Sequence, residues 1–70
     1  MDKDLVKKTL DEITSPTVTI TVRDAGGNTH PFTGTVVEHD AGSYESALML
    51  ATAERSVTIK YNDIYEITPA

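Results

Sequence analysis

The stretch "IKYNDIYEI", residues 59–67, decides how this chain folds. Ile59 and Tyr61 stand two apart around Lys60, the alternation of a half-buried strand. Asn62 and Asp63 are turn formers, because their short polar side chains bond the local backbone. Ile64 and Ile67 then lie three apart, a spacing that a regular strand does not place on one face. A tight helical turn, or a corner leading into a short further strand, brings both to the same side. The stretch therefore predicts the end of one strand, an abrupt corner and a closing strand. Tyr61 has core parity, and Tyr65, between Ile64 and Ile67, is a candidate for exposure.

Upstream, the same alternation recurs. In "SVTIKY", residues 56–61, Val57, Ile59 and Tyr61 alternate with Thr58 and Lys60. In "YESALMLA", 44–51, one face holds Tyr44, Ser46, Leu48 and Leu50, the other Glu45, Ala47, Met49 and Ala51. "DAGS" at 40–43 reads as the preceding turn. "HPFTGTVVEHD", 30–40, puts Phe32, Gly34 and Val36 on one face. Pro31 cannot donate to a ladder, so the start of this strand belongs at an edge or an unpaired position, and Gly34 marks a bend or a close backbone approach. "TVTITVRD", 17–24, alternates Val18, Ile20 and Val22 with Thr and Arg, nearly all β-branched. "DAGGN" between these two strands is a hairpin turn with glycine free for positive φ.

At the start, "KDLVKKTLDEI", 3–13, spaces Val6, Leu10 and Ile13 along one stripe of a helix, with Leu5 beside it. Asp2 or Asp4 suits the cap, and Pro16 ends the helix by holding Ser15 extended. Three turns of helix are too short to persist alone, so the stripe must lie on the strands. Fold class follows: a mainly β domain with one N-terminal helix, its strands forming a small, strongly bent, five-stranded antiparallel barrel over 17–68.

Seventy residues make a single domain, 1–70. A chain of this length buries only about 60% of its unfolded surface. With no Cys, neither a disulfide nor a zinc-thiolate cluster helps it, leaving strand packing or self-association. No stretch approaches the roughly 20 apolar residues of a membrane span, and "MDKDLVKKTLDE" lacks the apolar run of a signal peptide. A soluble, cytoplasmic protein is the expectation. The net charge is −5, and beyond the helix Arg23, Arg55 and Lys60 are outnumbered by carboxylates. Such a body repels phosphates on average, which disfavours nucleic acid as partner.

Phe32, Gly34, Val36 and Asp40 follow the order aromatic, any, Gly, any, aliphatic, with Asp six residues after the Gly. Ile59, Ile64 and Ile67 follow a second aliphatic frame. In these motifs, and in a helix followed by five bent strands, the chain resembles Sm-like proteins and SH3-like small barrels generally. The resemblance spans nearly the whole chain in layout. It implies RNA contact through a Met-Asn pair after the Asp and an Arg-Gly pair in the second motif. Here Ser43 and Tyr44 occupy the first positions, Lys60 and Tyr61 the second. The likeness thus supports the fold and weakens the family activity. In outline the chain is also similar to the Rho-binding antiterminator family, in "VTITVRDAGG" and "VTIKYNDI", and to YolD-like proteins, in "FTGTVVEHD" and "NDIYEI". The former acts by binding a protein.

Catalytic chemistry finds no foothold. His30 and His39 are the only imidazoles, and His39 points away from Glu38 and Asp40 on strand parity, so no metal set converges. There is no Cys and no Gly-x-Ser-x-Gly elbow. "AGGNTH" lacks the Lys and the following helix of a phosphate loop. No catalytic, metal or cofactor residue is assigned. The expected function is a non-catalytic binding or regulatory module whose partner is a protein, met through an exposed strand edge near Phe32 or at the corner near Tyr65. Candidate contact residues are Phe32, Tyr44, Lys60, Tyr61 and Tyr65. The alternative is a divergent Sm-like RNA binder using Lys60, Tyr61 and Tyr44; a small enzyme is third. The same edges allow homo-oligomers.

Overall fold

The computed structural model describes residues 1–38 and 47–70. The expected turn at 40–43, the start of the third strand and the positions of His39, Asp40, Ser43 and Tyr44 lie outside the described residues. The elements run α1 (Lys3–Glu12), β1 (Val18–Arg23), β2 (Thr29–Glu38), β3 (Ala47–Thr52), β4 (Ser56–Lys60), a 3-10 turn (Tyr61–Asp63) and β5 (Ile64–Pro69). Five antiparallel strands form one sheet in the order β4-β3-β2-β1-β5. The mainly β class with one helix holds. Closure does not: no pairing among the described residues joins β4 to β5, so the sheet keeps two open edges where a closed barrel was expected.

The corner forms as two devices in succession. Tyr61 leaves the strand as the first residue of the 3-10 turn, and the Ile64 N–H closes that turn onto the Tyr61 carbonyl. β5 then pairs with β1, but the register slips: Val22 faces Ile64 while Thr21 faces Glu66. Tyr65 is the extra residue of a β-bulge. A bulge resets the alternation of a strand, so Ile64 and Ile67 both reach the core, 3% and 7% exposed, while Tyr65 stays 56% exposed. A second slip, where Val36 faces Leu50 and Glu38 faces Met49, leaves Val37 as the extra residue of β2, also exposed.

Gly34 is the pivot of the sheet. It faces Val18 on one side and Thr52 on the other, so β2 pairs with β1 before it and with β3 after it. A Cβ on Gly34 would lie 2.1 Å from the Ala51 carbonyl oxygen, so only glycine lets the two strands approach this closely. Among the described residues, the half of β2 that carries Pro31 has β1 as its sole ladder partner, which suits a strand start bearing proline.

Ile20, Leu48, Leu50 and Val6 are fully buried, with Val18, Ile59, Tyr61, Ile64 and Ile67 around them. The helix supplies Val6 to this core and packs Leu10 and Ile13 against it, while Leu5 remains exposed. It begins one residue after Asp2, whose carboxylate accepts the Leu5 N–H at 2.8 Å, and stops at Glu12 with Ile13 as its cap. Its nearest elements are the 3-10 turn and β5, and the Met1 nitrogen donates to the carbonyls of Tyr61 and Ile64 at 3.1 and 2.9 Å. The leading segment therefore braces the corner. No helix among the described residues is long and apolar enough to cross a membrane.

Candidate functional site

β4 runs in unbroken register with β3, from Ala51 facing Ser56 to Ala47 facing Lys60. At the head of this hairpin the Thr52 N–H donates to the Arg55 carbonyl at 2.8 Å. In an antiparallel pair, residues that exchange such bonds alternate with residues that direct both backbone groups away. Arg55, Val57 and Ile59 therefore address β3. Ser56 and Thr58 turn their N–H and C=O to the open side and Lys60 its N–H, the Lys60 carbonyl being taken by the 3-10 turn it caps; all three residues are exposed. The edge is a row of ordered donors and acceptors.

Beside it lies a cleft in two lobes, the first of mixed polarity and the second mainly apolar. One lobe, about 270 Å³, lies between Pro31–Thr33 of β2 and the Thr52–Arg55 turn. The other, about 290 Å³, lies between Val22 and the β4 residues Val57 to Lys60, with Asp63 at its rim. Phe32 and Val57 line both lobes. Both side chains pack against the core yet stay half-exposed among the described residues.

The structure distributes the candidate contact residues unevenly. Phe32 and Lys60 come together at this cleft. Tyr65 sits on the bulge of β5, with the Arg23 guanidinium 5.5 Å from its ring centroid, a cation–π pair on another part of the surface. Tyr61 is 3% exposed and belongs to the core, so it offers no ring to a ligand. Tyr44 lies outside the described residues. Along the chain Val57 and Thr58, central to the site, read only as alternating strand residues, and the spacing of Pro31 and Phe32 from Val57 gives no sign of their meeting.

The first hairpin holds the other polar cluster. Asp24 Oδ1 accepts the N–H groups of Gly26 and Asn28 at 2.9 and 3.0 Å, and Oδ2 lies 3.0 Å from His30 Nε2. The His30 hydrogen bond and then the Asn28 N–H hold the Asp24 carboxyl below its ordinary range, against slight desolvation. Gly27 takes φ 83°, the left-handed conformation that the turn requires. Both ionisable side chains are about half-exposed, and the cluster is complete within itself. Among the described residues, no three His, Cys, Asp or Glu gather as metal ligands. Compared with protein families, with curated proteins and with solved structures, the chain matches none of them.

Proposed function

We propose that this domain is a non-catalytic binding module that takes a protein partner as an added strand on the open edge of β4. The observation that carries the reading is the outward row of Ser56, Thr58 and Lys60 running beside the Phe32–Val57 cleft. In strand addition, main-chain hydrogen bonds supply affinity and pockets for alternate side chains supply selectivity; both parts stand here side by side. The layout of helix, bent second strand and corner supports an Sm-like or SH3-like descent, and the lack of Cys suits a cytoplasmic setting. RNA binding is the weaker reading, since the net charge is −5 and Tyr61 is buried.

The test compares affinity capture by the wild type, by Thr58→Pro and by Tyr65→Ala, each bound protein then being purified and retitrated. Proline at position 58 removes an outward N–H and leaves the bonds to β3 intact. A protein retained by wild type and Tyr65→Ala but released by Thr58→Pro carries the reading. Binding of single-stranded RNA that weakens steeply with salt and is lost in Lys60→Ala would replace it.

A further inference from the structure

The β4 edge is complementary to itself, and we infer that it pairs with the β4 edge of a second copy across a two-fold axis at Thr58. The inference deepens the strand-edge reading and rests on it. An antiparallel pair centred on Thr58 sets Ser56 of each copy opposite Lys60 of the other. The N–H and C=O of the two Thr58 residues then bond each other and the Lys60 N–H bonds the Ser56 carbonyl of the other copy, while the Ser56 N–H shares the Lys60 carbonyl with the 3-10 turn. Glu54, exposed in the loop that leads into β4, lies at the end of the pair where Lys60 of the other copy arrives, and both side chains are long. Symmetry repeats this opposite-charge contact. On the inner face, Val57 of one copy meets Ile59 of the other, which covers the half-exposed Val57 beside Phe32.

The two features are independent. Backbone polarity makes any antiparallel edge able to pair with itself, while the sign order of Glu54 and Lys60 makes this edge favour doing so. β4 also lacks proline and bulge, the usual devices that forbid such pairing. The product is a dimer with a continuous sheet, closed by symmetry and not extensible.

Sedimentation equilibrium from micromolar to millimolar protein tests it. The expected result is a reversible equilibrium between a 7.6 kDa chain and twice that mass. Thr58→Pro stays monomeric. Lys60→Glu weakens the dimer by on the order of tenfold, through two like-charge contacts, and adding Glu54→Lys restores it. In the wild type, amide exchange at Ser56, Thr58 and Lys60 slows with concentration while that at Tyr65 does not, a readout that needs no variant. A wild type that remains monomeric at every concentration overturns the dimer; capture of another protein that is lost in Thr58→Pro would still uphold the strand-edge reading. Masses above the dimer would signify β4 joining β5 head to tail and also overturn the two-fold pairing.

Discussion

The two open edges of the sheet are treated differently. β5 is blunted three times over: Tyr65 bulges out of its register, Pro69 lies near its end, and the helix with the Met1 nitrogen packs at its start. Bulges, prolines and covering helices are how sheets avoid uncontrolled pairing. β4 has none of these. Its register is regular, its backbone groups are aligned, and a partly apolar cleft opens beside it. In one short chain, an edge that is protected and an edge that is not point to pairing at one place only.

The largest expected effect comes from breaking the frame that separates the edges. Gly34→Ala drives a methyl into the Ala51 carbonyl and must part β2 from β3. A loss of about 3 kcal/mol or more, read from the urea midpoint, is the expected outcome. Hydrogen exchange should accelerate more in β3 and β4 than in β1 and β5. A midpoint close to wild type would show that the sheet tolerates an unpivoted β2.

Proline at neighbouring positions sharpens the contrast within β4 itself. Val57→Pro removes an N–H directed at β3 and should cost roughly 3 kcal/mol, whereas Thr58→Pro should cost no more than about 1 kcal/mol. Equal losses in thermal unfolding would mean that the alternation assigned to this edge is reversed.

Deleting Tyr65 tests the protection of β5. Without the extra residue, Ile64 and Ile67 fall on one face of a regular strand, so the fold should survive. The lost Arg23–Tyr65 contact accounts for about 0.5–1 kcal/mol. The straightened edge should then promote association beyond the dimer, visible as higher masses by light scattering. A deletion variant no more prone to associate would show that the helix and Pro69 suffice.

The smallest effect is a pH dependence at the distal hairpin. Asp24 titrates lower in the fold than in the unfolded chain, so its contribution is whole above the ordinary value of 3.8 and is lost as pH falls through the folded value. As pH falls below 3.8 and through the folded value, the amides of Gly26 and Asn28 should lose protection in the wild type. Asp24→Asn, which keeps an acceptor without the charge, should show no such titration. β4 carries no comparable group, so its amides should not follow the same curve.

Much of this arrangement is legible along the chain. Val18, Ile20, Leu48, Leu50 and Ile59 announce themselves by period-two alternation and are all buried. Gly34 reads as a close approach and Pro31 as a strand start without a second neighbour, and both take those places. The three-residue spacing of Ile64 and Ile67 signals a break in strand geometry, and the Asn-Asp pair before it supplies the turn. The bulge at Tyr65 is harder to see, because a 3-10 turn and a bulge solve the same spacing. The Asp24–His30 pair needs the hairpin register, which sets Val22 against His30. Phe32 and Tyr61 share the inward parity, yet one is half-exposed and the other buried.

Taken alone, the order of residues determines which segments are helix, strand and corner, and which face of each is apolar. Those properties arise from local backbone sterics and side-chain periodicity, which neighbours in sequence settle among themselves. Only the tertiary structure decided that β4 and β5 do not meet, that Phe32 and Val57 line one cleft, and that among the described residues the helix packs at the β5 edge and not along β4. Such outcomes depend on how twist and bulges accumulate across five strands, and they emerge only when distant segments lie side by side.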